Sequence, residues 1–305
     1  MINIETVSKS FSSKTALAVD HLKLDLRDGE ILGLVGLNGA GKTTTIRMCS
    51  GIIIPTSGKI TVDGFDIVSE KIKAEEGVGW IPEQPNFEMN AKPLQLMRYY
   101  AGFYRFGDIN VERRINELLE NVGLSEHVDK KLRNFSQGMK KRFAIAESII
   151  GDPQNILFDE TLNGLDPEGV LFVRKLILGM KKEGKAILLS SHILNEIEDL
   201  ADRVAIVDHG KLIRVLSRFE MKSLGNTVLH IVVDNYSIEC EKLLEKYGDV
   251  EVSGNELTVR NLTISDERIV DISEELMKSG FRLRKFNPMG ESLEEFFFKL
   301  IGDDR

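Results

Sequence analysis

Cysteine is nearly absent from this 305-residue chain: Cys49 and Cys240 stand far apart and outside any metal-ligand spacing. Neither a disulfide framework nor a zinc site is expected, and a reducing compartment suits such usage. Long apolar runs are missing too. No stretch reaches the roughly 18 apolar residues of a membrane span, and the amino terminus lacks the charged-then-apolar pattern of a secretory signal, so the chain reads as cytosolic. Basic excess is also lacking. Forty Lys and Arg against 48 Asp and Glu leave a formal charge of −8, with a pI near 5.4. Without a global positive field, non-specific nucleic-acid binding is disfavoured, and no nucleic-acid partner is expected. The length allows a sizeable core and two domains.

What is present is a phosphate-binding sequence. Residues 30–50, EILGLVGLNGAGKTTTIRMCS, read as an apolar strand that turns through glycines into a helix. Gly36, Gly41, Lys42 and Thr43 satisfy G-x-x-x-x-G-K-[ST], the P-loop pattern. Chance would match those four positions in roughly one chain of this length in a hundred. Gly39 and Gly41 lack a Cβ, so the backbone can turn its N–H groups onto a polyphosphate. Leu37, Asn38, Ala40 and Thr44 complete the segment expected to cradle the phosphates. The following helix offers its positive end, Lys42 reaches β/γ oxygens, and the Thr43 hydroxyl is a ligand for Mg²⁺. Cys49, on that helix, reads as a small buried residue.

Ahead of the P-loop lie the expected strands Ile2–Val7, Leu22–Leu26 and Ile31–Val35, and between the first two Phe11 stands in the polar segment SKSFSSK. An aromatic there suits stacking on a base or packing on the protein. Pro55–Gly64 reads as a turn and short strand, and Gly77–Ile81 as a strand ending in Pro82-Glu83-Gln84-Pro85. Gln84 is a neutral amide that suits either a solvated loop position or a place where it orients a water or approaches a metal. Helical spacing runs through Leu94–Tyr104, Val111–Val122 and Gln137–Ile150, the last opening with Ser136 as N-cap and Gly138 beside it. Lys140, Lys141 and Arg142 read as a solvated basic face.

A short buried strand, Asn155–Phe158, delivers Asp159 and Glu160 at its carboxyl end. Adjacent carboxylates there are expensive to bury without a cation or a proton-transfer role. The tight turn NGLDP, with Asp166, precedes the helix Glu168–Lys182 and the strand Lys185–Ser190, a βαβ unit of a parallel sheet. His192 follows that strand, where open α/β sheets place their ligands. A further turn is expected at Asp208–Gly210.

These elements in this order resemble the nucleotide-binding domain of an ATP-binding cassette (ABC) ATPase, over about residues 1–216. The resemblance implies an α/β P-loop NTPase fold with an antiparallel β subdomain and a helical insert at about 88–150. Phe11 matches the aromatic that stacks on adenine. Gly36–Thr43 match Walker A. Gln84 matches the loop glutamine that senses the γ-phosphate and faces the membrane partner, Phe135–Met139 match the family signature, Asn155–Glu160 match Walker B with its following glutamate, Asp166 sits in the D-loop, and His192 is the switch histidine. Two departures stand out. The signature reads FSQGM in place of the commoner LSGGQ, a form close to that of exporter-type subfamilies, and Thr161-Leu162 replace the usual Pro-Thr.

The family implies ATP and Mg²⁺ as ligands, with Thr43, Gln84 and Asp159 around the metal. Glu160 would act as general base, His192, Lys42 and Gln84 would serve the γ-phosphate, and Ser136, Gly138 and Asp166 would close on the nucleotide of a second domain. It also implies a homo- or heterodimer, a transmembrane permease on a separate chain, and a place on the inner face of the cell membrane. Relatives that act on DNA or ribosomes carry a long heptad insertion or two cassettes, and neither occurs here. A regulatory cassette without turnover is the other alternative, against which Glu160 and His192 count.

After an expected linker at 217–226 the texture changes. Strands Val228–Val233, Val250–Val252, Glu256–Arg260 and Phe281–Phe286 alternate with helices Ile238–Tyr247 and Ser265–Lys278 in βαββαβ order, a small ferredoxin-like α+β unit over 227–305. It has no cluster with catalytic spacing, so a dimerisation or regulatory role is expected. In the closing helix Leu293–Ile301, Phe296, Phe297 and Phe298 cannot all face one side. One of them is expected either on a partner surface or against the unit's own sheet.

Overall fold

The computed structural model describes residues 1–12, 16–106, 110–222, 228–260, 262–263, 268–289 and 293–302. The chain divides into two units, Met1–Arg218 and Phe219–Arg305.

In the first unit, β1 (Ile2–Lys9) and β2 (Val19–Leu26) pair antiparallel, with Ile4 opposite Leu24. β3 (Ile31–Val35) leads into α1 (Lys42–Cys49). β4 (Ser57–Val62) and the two-residue β5 (Phe65–Asp66) return to the first sheet, in the order β2-β1-β4-β5. The short α2 (Lys71–Glu76) precedes β6 (Val78–Ile81), after which α3 (Pro93–Ala101), α4 (Val111–Asn121) and α5 (Gln137–Ser148) form the helical insert. Then come β7 (Asn155–Asp159), α6 (Pro167–Lys182), β8 (Ala186–Ser191), α7 (Leu194–Glu198), β9 (Arg203–Asp208) and β10 (Lys211–Ser217).

The second sheet has the order β10-β9-β3-β8-β7-β6, parallel from β9 to β6 with β10 antiparallel at the edge. Every residue of β3, β7 and β8 is buried, as parallel strands covered on both faces require, and this is why they are written as unbroken apolar runs. Leu32, Leu34 and Leu188 of this sheet share one core with Ile2, Leu24 and Ile60 of the first sheet and with Ile46 and Met48 of α1. Because the strands are parallel, β3, β6, β7 and β8 all end on one side of the sheet.

The helix expected over 94–104 runs from Pro93 and stops at Ala101, where Gly102 caps it with its N–H on Arg98 O. The turn at Asp208–Gly210 joins the hairpin β9–β10. Within the linker expected at 217–226, α8 (Arg218–Lys222) makes the first part helical, and residues 223–226 lie outside the described residues.

The second unit contains β11 (Val228–Val233), α9 (Ile238–Leu244), β12 (Asp249–Ser253), β13 (Glu256–Arg260), α10 (Ile269–Lys278), β14 (Leu283–Met289) and α11 (Leu293–Gly302). All pairings are antiparallel and the order is β12-β13-β11-β14, the ferredoxin-like arrangement of a βαββαβ chain. Leu229, Ile231 and Val233 turn one face of the central strand onto Leu244, Ile272 and Leu276 of the helices, as period-two alternation dictates. The helix expected over 265–278 starts at Ile269 among the described residues, since residues 265–267 lie outside them. In α11, Phe297 is buried and Phe298 is exposed.

Candidate functional site

The loop between β3 and α1 is shaped by two glycines. A Cβ on Gly36 would lie 2.3 Å from Val207 O, and one on Gly41 would lie 2.5 Å from Ala18 O. Gly41 also holds φ 101°, outside the reach of L side chains. Inside the loop, Ala40 N–H donates to Leu37 O at 3.1 Å and closes a tight turn. Lys42 folds back beneath it: its Nζ donates to Gly36 O at 2.8 Å and Leu37 O at 3.2 Å, and forms an ion pair with Glu160 Oε1 at 3.1 Å. Only 4% of the lysine is exposed, so the ammonium is held by carbonyls and a carboxylate rather than by solvent.

Sheet register brings the acids to the same place. Asp159 at the end of β7 lies beside Ser190 of β8, which lies beside Leu34 of β3. Asp159 Oδ1 accepts from Thr43 Oγ1 at 2.9 Å and from Ser190 Oγ at 3.2 Å. Burial pushes the Asp159 carboxyl above its ordinary range, although both hydroxyls and Arg47 pull it down. A buried carboxylate and a hydroxyl are hard oxygen donors, which suit a small divalent cation that keeps its remaining ligands as phosphate and water. No larger His/Cys/Asp/Glu cluster for a metal occurs among the described residues, as that ligand preference allows.

Glu160 has φ 47°, the left-handed region that is rare for a residue with a side chain. Its N–H donates to Ser190 Oγ at 3.0 Å, which holds it there. Oε2 accepts from Asn163 Nδ2 at 2.8 Å and is 3.0 Å from His192 Nδ1. Burial pushes the carboxyl up, but Lys42 and His192 outweigh it and hold Glu160 below the usual range. It is therefore ionised at neutral pH and acts only as an acceptor, which puts the ring proton of His192 on Nδ1.

These groups line a cleft of about 450 Å³. Asn38, Gly39 and Gly41 to Thr44 form one wall, and Glu160, Asn163 and His192 face them. Gln84 is exposed, and its neighbour Glu83 lines the cleft in its stead. Phe11 is 63% exposed, with Lys9 Nζ 5.2 Å above its ring.

Ser136, Gly138 and Asp166 lie elsewhere. Ser136 caps α5, its Oγ accepting from Met139 N–H at 3.2 Å, and Asp166 caps α6, its Oδ1 accepting from Gly169 N–H at 3.0 Å. Together with Gln137 and Arg142 they line a second cleft of about 440 Å³ that, among the described residues, shares no lining residue with the first. The expected basic face of α5 needs correction: Lys141 is 5% exposed, with its Nζ donating to Thr161 O at 2.8 Å and to Asn163 O. Lys141 falls on the buried stripe with Ala144, Ile145 and Ser148, and that i, i+3, i+4, i+7 spacing was the signal for it. Asn163 was also missed. Its signal is an amide three residues after Glu160, within reach across one turn.

A family model described as ABC transporter matches residues 19–163. The bacitracin transport ATP-binding protein BcrA of Bacillus licheniformis is 33% identical over 99% of this chain and 97% of its own length. The Nod factor export ATP-binding protein I of Rhizobium etli is 31% identical over 99% of this chain and 93% of its own. A solved structure of the ATP-binding subunit of an ABC transporter aligns with TM-score 0.67 and 26% identity, over 73% of this chain and 92% of that one. No helix among the described residues is long and apolar enough to cross a membrane.

Proposed function

This chain belongs to the ABC transporter family, as an ATPase subunit that energises a membrane transporter, and we propose that two cassettes close over two MgATP to do so. The observation that carries this reading is the separation of the two clefts. Lys42, Thr43 and Glu160 line one, Ser136, Gly138 and Asp166 line the other, and no described residue lines both. A second cassette brings its signature cleft over this chain's P-loop cleft and completes both sites.

In the closed pair the P-loop N–H groups and Lys42 bind the β and γ phosphates, and Phe11 stacks on the adenine. Thr43 and Asp159 would hold Mg²⁺, which would supply charge neutralisation at the phosphates. Glu160 accepts a proton from the attacking water as its oxygen bonds to the γ-phosphorus and the bond to ADP breaks, releasing phosphate. His192 contacts the γ-phosphate, Ser136 and the Gly138 N–H come from the partner cassette, and Gln84 faces the permease. That permease is a separate chain, the ATPase works at the inner face of the cell membrane, and transport runs outward. A relative named for the export of Nod factor supports this direction. The ferredoxin-like unit serves dimerisation or regulation.

Sedimentation of Glu160→Gln with and without MgATP tests the pairing: a nucleotide-dependent rise from monomer to dimer is expected. A monomer in both conditions overturns closure by the cassettes alone. Lys42→Ala is expected to weaken MgATP binding roughly ten- to hundredfold, the worth of charge-assisted hydrogen bonds of about 1.5–3 kcal/mol. Titration with a fluorescent nucleotide reads this, and unchanged affinity would take Lys42 out of the phosphate site.

A further inference from the structure

Glu160 presents two oxygens with different partners. Oε1 is paired with Lys42, and Oε2 with Asn163 and His192. Under the reading above, the Lys42 ammonium turns to the phosphates when nucleotide binds, so it ceases to be an anchor for Glu160. The fixed contacts that remain are on the Oε2 side. Of these, Asn163 belongs to the same turn as Glu160: its N–H donates to Glu160 O at 3.2 Å, its Nδ2 reaches Glu160 Oε2, and the same Nδ2 lies 3.4 Å from His192 Nδ1. Its Oδ1 is buried without a hydrogen-bond partner. A half-buried amide that leaves its buried acceptor unused forgoes part of its hydrogen bonding, and its placement is explained by the donor end.

The turn is held from behind. Lys141 Nζ donates to the carbonyls of Thr161 and Asn163, the two residues that flank Leu162 in the turn. Burying an ammonium is costly unless polar partners surround it, and here those partners are backbone groups of the segment that carries Glu160. Lys141 sits on α5, the helix that Ser136 opens at the second cleft.

We infer that Asn163 and Lys141 are positioning residues for ATP hydrolysis: the Asn163 amide fixes the Glu160 oxygen to which His192 also donates, and Lys141 locks their turn to the signature helix. The inference rests on Glu160 being the general base. A misplacement of about 1 Å at a reacting group can cost a hundredfold in rate while leaving binding alone, so the effect falls on kcat.

The test uses the full chain and steady-state ATP hydrolysis. Asn163→Asp keeps the shape and removes the donor, Asn163→Ser keeps a shorter donor, and Lys141→Met keeps the length and removes the ammonium. Asn163→Asp and Lys141→Met are expected to lower kcat by at least about tenfold with the KM for ATP within about twofold of wild type, and Asn163→Ser to recover most of the loss. In single-turnover measurements on a Glu160→Gln background, Asn163→Asp is expected to cost nothing further, because it acts through that carboxylate. A wild-type kcat for Asn163→Asp, a KM that rises as kcat falls, or full additivity with a slow Glu160→Gln overturns the inference. Should Lys141→Met fail to fold, the two Asn163 variants and the cycle decide. A Glu160→Gln single variant that turns over like wild type overturns instead the general-base reading, and does so independently of Asn163.

Discussion

Glu160→Gln is expected to bind MgATP like the wild type and to hydrolyse it roughly 10²–10⁴ times more slowly, the usual worth of a general base. Glutamine has the same shape but takes no proton at neutral pH. The shape of the P-loop does not depend on the carboxylate's charge, because Lys42 also donates to Gly36 O and Leu37 O and Gly36 and Gly41 are set by contacts with Val207 and Ala18. Binding should therefore survive while proton acceptance is lost. In the nucleotide-free wild type, Lys42 and His192 hold the carboxyl below its ordinary range, so it meets the nucleotide ionised across the neutral range. Phosphate release followed alongside nucleotide titration separates the two effects. Turnover near the wild-type rate would remove Glu160 from the chemistry.

The residues of the P-loop cleft are readable in the sequence largely because a parallel sheet makes them so. ILGLV, NILFD and AILLSS are apolar runs that end abruptly, and parallel strands must all deliver those ends to one side. Thr43, Asp159, Glu160 and His192 are then close by topology, before any side chain is placed. The ferredoxin-like order of the second unit is legible for a similar reason, since period-two strands alternate there with helical patterns. What escapes is decided by packing at the level of one side chain. Lys141 carries the same charge as Lys140, and only its alignment with the buried stripe of α5 separates them. Asn163 reads as an ordinary turn residue until Glu160 is found in the left-handed region with its Oε2 turned towards it. Glu83 and Gln84 are adjacent in a proline-bracketed segment without helical or strand period, so pattern alone has no means of saying which one borders the cleft.

Glu147→Gln is expected to stabilise the cassette at pH 8 and to change little near pH 4. Glu147 lies on α5, and burial pushes its carboxyl from 4.5 up to about 7. Its charge also helps, after burial itself, to raise the phenols of Tyr100 on α3 and of Tyr104 just beyond that helix. The folded state thus keeps a proton that the unfolded state releases near 4.5. Between those values the folded state binds more protons, so this group makes stability fall as pH rises through the window, with no further loss above it. At 1.36 kcal/mol per pKa unit the total is on the order of 3 kcal/mol. Glutamine has the shape of the protonated acid and no charge to bury, so its advantage should grow from nothing at acid pH to that value at pH 8. The chain has a single tryptophan, Trp80 on β6, so its fluorescence follows unfolding of the first unit without signal from the second. Urea midpoints read by that fluorescence at several pH values give the difference directly. A difference between variant and wild type that stays constant across pH would mean that the Glu147 carboxyl is solvated and titrates as in a peptide.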